Sequence, residues 1–169
     1  MRRRTVPSAR GGFSLIEACI AIITVGIGVS ALLLSVAAGT RANSAGKQLT
    51  QATFLAQEIR EWTVRMPFSD PDLADQANPP GPDGSNPQVF VDDLDDLMDV
   101  TYSPPRDGQG NPVADMAAWS QALTLTWRDP NSLTTTVAAG TSDVIYVEVK
   151  ISNRSRQVLT TGWLVTRRE

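Results

Sequence analysis

Residues 12–39 read GFSLIEACIAIITVGIGVSALLLSVAAG, and the architecture turns on how this stretch is read. From residue 18 to residue 39 there are 22 consecutive positions without a charged side chain, rich in Ile, Leu, Val and Ala. A soluble core helix does not need an apolar run of that length, whereas a single membrane crossing does. At ~1.5 Å per residue the run reaches ~33 Å as a helix, against a hydrocarbon thickness of ~30 Å. On its amino-terminal side, Arg2, Arg3, Arg4 and Arg10 give residues 1–12 a charge of +4 with no acid. The positive-inside rule therefore leaves residues 1–12 in the cytoplasm and sends everything after about Thr40 across the membrane.

Outside this stretch the chain is acidic. Residues 13–169 carry 11 basic and 18 acidic side chains, a balance of -7. Eleven of the thirteen aspartates fall within residues 67–120, where Arg106 is the one basic residue, so that segment alone is -10. Such a charge repels nucleic acid, and no nucleic-acid partner is expected. The total of 169 residues leaves room for about one extracytoplasmic domain of ~100–200 residues. The chain has no histidine, which removes His-based nucleophile triads, imidazole general bases and His-ligated metal centres. Its single cysteine, Cys19, forms neither an internal disulfide nor a four-cysteine metal site. No cofactor, resident metal or catalytic group is expected, and assembly rather than turnover is the anticipated mode of action.

Several processing routes compete for a basic start followed by an apolar run. An ordinary secretory signal would be cut near Val36-Ala37-Ala38, but its apolar core is normally ~7–15 residues, and this one is longer and opens on Glu17. A lipoprotein signal ending at Cys19 would need an apolar stretch before the cysteine, where residues 5–12 are polar and glycine-rich. Twin-arginine export is poorly served by Thr5-Val6-Pro7 after the arginines. The segment Gly12-Phe13-Ser14-Leu15-Ile16-Glu17, joining the basic leader to the apolar run, resembles the processing site of type IV prepilins and type II secretion pseudopilins. The likeness covers roughly residues 11–40. In that family a membrane aspartic peptidase cuts after the glycine, the new terminal residue is N-methylated, and the fifth mature residue is a glutamate. The resemblance puts the cut between Gly12 and Phe13, methylation on Phe13 and the assembly carboxylate on Glu17.

An ionised carboxylate within hydrocarbon costs on the order of 2.5–3.5 kcal/mol, so Glu17 calls for a partner. Cleavage after Gly12 would create one, because the cationic amine of Phe13 then lies one helical turn away, within reach of its own carboxylate or that of a packed neighbour. The resemblance implies the intermolecular pair, Glu17 of an incoming subunit with the Phe13 amine of one already in the fibre. The plainer reading is that Glu17 sits near the cytoplasmic interface and reaches water. Gly26 and Gly28 interrupt the apolar run, either as tolerated membrane glycines or as points of flexibility; the proline that many pilins carry in this helix is absent.

Beyond Thr40, Ala42, Ala45, Leu49, Ala52, Ala56, Ile59 and Met66 recur at three- and four-residue spacing, with Leu55 and Trp62 alongside. Lys47, Gln48, Gln51, Glu58 and Arg65 fall off this stripe. With no proline between Phe13 and Met66, one helix is expected over residues 13–66, ending before Pro67; residues 13–40 form its membrane half and residues 41–66 its amphipathic half. Residues 67–120 hold nine of the eleven prolines and read as an acidic, mostly irregular loop. Its Asp92, Asp93, Asp95, Asp96 and Asp99 offer oxygen ligands of the kind calcium takes, though not at EF-hand spacing, and otherwise form a solvated turn; Asp92 and Asp96 as an acid/base pair belong to no recognisable motif.

From Gln121 the period changes to two. Leu123, Leu125 and Trp127 alternate inward, residues 133–137 return as a shorter strand, Ile145, Val147, Val149 and Ile151 form the next, and Leu159, Trp163 and Val165 the last. Residues 121–169 are thus expected as three or four antiparallel strands covered by the helix stripe from Ala45 to Met66, an α+β layout. Residues 158–168 resemble the closing strand of V-type minor pilins, and the lack of a cysteine pair favours a minor subunit. The resemblance implies an inner-membrane protein with its domain in the periplasm, later part of a pilus or secretion fibre. Its partners would be other pilin or pseudopilin subunits, the prepilin peptidase, an inner-membrane assembly platform and lipid. A single-pass anchor for a periplasmic binding or adhesion domain is the other reading.

Overall fold

A computed structural model describes residue 12 and residues 14–72, 76, 78–82, 86 and 90–168. Phe13 and the leader through residue 11 lie outside the described residues. The chain divides into two compact units, Met1–Ala45 and Gly46–Glu169. Helix α1, Leu15–Arg65, contributes to both.

In the first unit Ser14 opens α1, its Oγ accepting the Glu17 N–H at 3.3 Å and its carbonyl accepting the same N–H at 3.1 Å. This satisfies an amide that the start of a helix would otherwise leave without a partner. The helix is long and apolar enough to cross a membrane, and none of its most apolar 18-residue stretch is buried within the chain. Two of its hydroxyls are internally bonded: Thr24 donates to the Ile20 carbonyl and Ser30 to that of Gly26, both at 2.8 Å, which lowers the cost of placing them in hydrocarbon. Gly26 and Gly28 leave the helix unbroken.

In the second unit α1 ends where the sequence requires. The Met66 N–H donates to Trp62 O at 3.2 Å, and Pro67 has no N–H to continue. Five antiparallel strands follow: β1 Thr101–Tyr102, β2 Trp119–Asp129, β3 Ser132–Thr136, β4 Val144–Asn153 and β5 Arg156–Thr166. They are ordered β1-β2-β4-β5, with β3 on β2. The register sets Leu123 opposite Val149, Leu125 opposite Val147 and Trp127 opposite Ile145, so the period-two pattern places all of these on the core face. Ala52, Leu55, Ala56 and Ile59 of α1 pack with them in one apolar cluster.

Two expectations are corrected. The stripe proposed from Ala45 onward is buried only from Ala52, with Leu49 half exposed and Ala42 and Ala45 exposed. The segment read as irregular loop also supplies core. Leu97 of its 3-10 turn Asp95–Leu97, together with Leu94, Val100 and Tyr102, is buried in the same cluster, and β1 within it adds a fifth strand among the described residues where three or four were expected. Leu94, Leu97, Val100 and Tyr102 are spaced irregularly, so neither period revealed them.

Candidate functional site

The predicted processing and assembly residues sit at the start of the chain. Gly12 is exposed, and a side chain placed there would meet nothing within 4 Å. Among the described residues, then, no contact demands glycine at this position. Glu17 lies in the first turn of α1, fully outside the core, and its carboxylate takes no hydrogen bond or ion pair from any described residue. A carboxylate in the first helical turn is favoured by the helix dipole, but the dipole does not supply a full countercharge. Phe13 lies outside the described residues, so its amine is not placed. One local signal escaped the sequence reading: Ser14 and Glu17 have the S-x-x-E spacing of a capping box, of which the Ser14 half, its Oγ accepting the Glu17 N–H, is formed at the start of the helix.

The second candidate cluster is the acidic turn. Asp92, Asp93 and Asp96 bring one carboxylate oxygen each within 4.8 Å of the others. Asp95 and Asp99 do not join them: Asp95 Oδ2 accepts the Gly81 N–H at 2.8 Å, and Asp99 is exposed. Asp93 Oδ1 accepts the N–H groups of Asp95 and Asp96 at 3.1 and 3.2 Å, and Asp96 Oδ2 accepts the Asp92 N–H at 2.9 Å. These carboxylates thus tie the turn that delivers Leu94 and Leu97 to the core. Burial pushes Asp93 up to about 8, aided by its hydrogen bond to Asp95 and the negative charges of Asp95 and Asp96, against the opposing backbone bond. Asp92 is raised more modestly by desolvation and by the charges of Asp96 and Asp70. Three oxygens are half or less of the ~6–8 that calcium takes. As an acid/base pair, Asp92 is exposed while Asp96 is 2% exposed and faces its own turn.

A polar pin missed by the sequence reading joins helix, loop and sheet. Gln121 is fully buried. Its Nε2 donates to Leu55 O at 2.9 Å and to Arg106 O at 3.1 Å, while its Oε1 accepts the Arg106 N–H at 2.6 Å. Glu58, placed off the apolar stripe, accepts the Gly108 N–H at 2.6 Å. Gly110, at φ +81, lets the loop close over Trp62, where any side chain would collide with the indole. Asp107 folds this loop by accepting the N–H groups of Gln109 and Asn111. Slight burial raises its carboxyl, but these bonds and Arg106 outweigh it and hold the group below its usual range. A glutamine within a period-two strand carries no sequence mark of such a role.

No family model, curated protein or solved structure matches this chain.

Proposed function

We propose that the chain is a minor pilin or pseudopilin. In this reading it is made with a cytoplasmic leader, held in the bacterial inner membrane by the first half of α1, cut between Gly12 and Phe13, and assembled into a type IV pilus or type II secretion fibre. The observation that carries the reading is the pairing of an exposed Gly12, for which no described contact requires glycine, with a Glu17 that has no partner among the described residues and stands at the mouth of the uncharged run of residues 18–39. A peptidase accounts for the glycine, and the amine that it releases on Phe13 accounts for the acid. The α+β layout, with the carboxy-terminal part of α1 laid on an antiparallel sheet, is compatible with a pilin domain. The partners are other subunits, the peptidase, the assembly platform and lipid, and the extracytoplasmic domain faces the periplasm.

Mass spectrometry of the amino terminus tests this directly. After co-expression with a prepilin peptidase, the mature chain is expected to begin at Phe13, with or without one added methyl group. A chain that begins near Ala38, or that retains its first residues in cells processing other prepilins, supports the membrane-anchored binding domain instead.

A further inference from the structure

The sheet of residues 101–166 has two unlike edges. The outer side of β2 is covered piecewise, by β1 at Gln121 and Ala122 and by β3 at Arg128 and Asp129, and between them its backbone is bonded to Val100 and Val137. At the other edge lies β5, 11 residues long, and among the described residues no strand pairs with its outer side. About half of its backbone N–H and C=O groups point away from β4 and are free to pair with another chain. It contains no proline, and no charge between Arg156 and Arg167; its register slips by one residue at Val158, near the Arg156 end, and from Leu159 to Thr166 it carries no bulge, proline or charge to blunt the edge.

The core layer is also incomplete beside β5. Leu159, Thr161, Trp163 and Val165 pair with Ile151, Val149, Val147 and Ile145. The β4 residues are 0–1% exposed, yet their β5 partners on the same face are only half-buried. The space between them and α1 is a groove of about 440 Å³, lined by Thr53, Ala56, Gln57 and Arg60 of the helix and by Leu159 and Trp163 of the strand. Trp163 closes its floor, its Nε1 donating to Thr63 Oγ1 at 3.1 Å. A helix lying alongside a free strand edge is the geometry in which an extended peptide adds a strand, with backbone bonds holding it and alternate side chains entering the groove.

Charge selects the occupant. Arg154 and Arg156 stand at one end of β5, Arg168 at the other and Arg60 in the groove, and none of the four has an acidic partner among the described residues. Among the described residues, Asp143 pairs with Arg167 at 2.8 Å, and Glu148 lies opposite Gly162 on the other face of the sheet. Pairing of two β5 edges in antiparallel fashion would set Arg154 and Arg156 of one copy against Arg167 and Arg168 of the other, a like-charge contact that opposes self-association. We propose that the outer edge of β5 and its groove form a strand-acceptor site for an extended segment of another protein, acidic at both ends and apolar on alternate residues between. This edge is present whether or not the chain is cut at Gly12.

The test uses the full chain in detergent and two labelled peptides of alternating Val and Thr, one ended by two Asp on each side and one by two Lys. The acidic peptide is expected to bind about tenfold more tightly or better, the sum of several exposed charge pairs, to weaken with salt and to protect β5 amides from hydrogen exchange. Arg156→Glu combined with Arg168→Glu, both on exposed residues, should reverse the preference for the two peptides while leaving the thermal transition in place. Equal binding of both peptides, protection elsewhere than β5, concentration-dependent self-association that protects β5, or capture of anionic vesicles or DNA without competition by the acidic peptide would overturn the assignment.

Discussion

At the scale of single residues, two carboxylates are held in unlike ways, and each has a measurable consequence. Glu17 has no partner among the described residues, and its proposed role lies in contacts with other subunits. Glu17→Ala is expected to leave membrane insertion and the folded sheet unchanged, because it removes no described contact, yet to cut incorporation into fibres, measured as the share of subunit in sheared fibre preparations. Normal incorporation would remove the assembly role from this acid. Asp93 is constrained by its own fold. Its carboxyl is raised from 3.8 to about 8, so between these values the folded chain keeps a proton that the unfolded chain has released. Its contribution to stability is therefore fully present below about pH 4 and is lost progressively as the pH rises to about 8. Asp93→Asn keeps the acceptor for the Asp95 and Asp96 amides and cannot ionise. Relative to the parent it should gain on the order of 2 kcal/mol at pH 8–9 and little at pH 4, read from chemical unfolding at the two pH values.

At the scale of elements, α1, the acidic segment and the sheet are joined by side chains whose partners are distant in sequence. Gln121 on β2 reaches Leu55 of α1 and Arg106 of the loop, and Glu58 reaches Gly108. Gln121→Leu keeps the volume but removes the side-chain acceptor of the Arg106 N–H and the buried donor to Leu55 O, at a cost of roughly 1–3 kcal/mol for lost buried hydrogen bonding. The expected result is a lower denaturation midpoint with an unchanged slope, together with faster amide exchange near residue 106. An unchanged midpoint would show that water replaces the glutamine without loss. The elements themselves were largely legible. Uncharged length marks the membrane-competent half of α1, Pro67 marks its end, and alternation marks β2, β4 and β5. Thr101–Tyr102 was not legible, because two residues are too few for a period to be recognised.

At the scale of the whole molecule, the apolar cluster of α1, the acidic segment and the sheet falls within Gly46–Glu169. A chain starting at Gly46 is therefore expected to be soluble without detergent and to unfold in one cooperative transition by circular dichroism. A chain starting at Pro67 would strip Leu55 and Ile59 from the sheet. Losses of ~2–5 kcal/mol for each large buried side chain quickly exceed a typical net stability of ~5–15 kcal/mol, so this shorter chain should lack a cooperative transition and bind hydrophobic dyes. If it folded normally, the helix would be shown to be dispensable as a cover.

The membrane-competent helix, its stop at Pro67, the alternating strands and the Gly12 to Glu17 segment could be read from the amino acids alone, because each depends on local length, spacing or charge that solvent and chain geometry impose without regard to distant neighbours. The burial of Leu94, Leu97 and Tyr102, the raised pKa of Asp93, the reach of Gln121 to α1 and the bare edge of β5 were decided only in three dimensions. Each depends on which surfaces far apart in the chain exclude water from one another, and no short window of sequence records that.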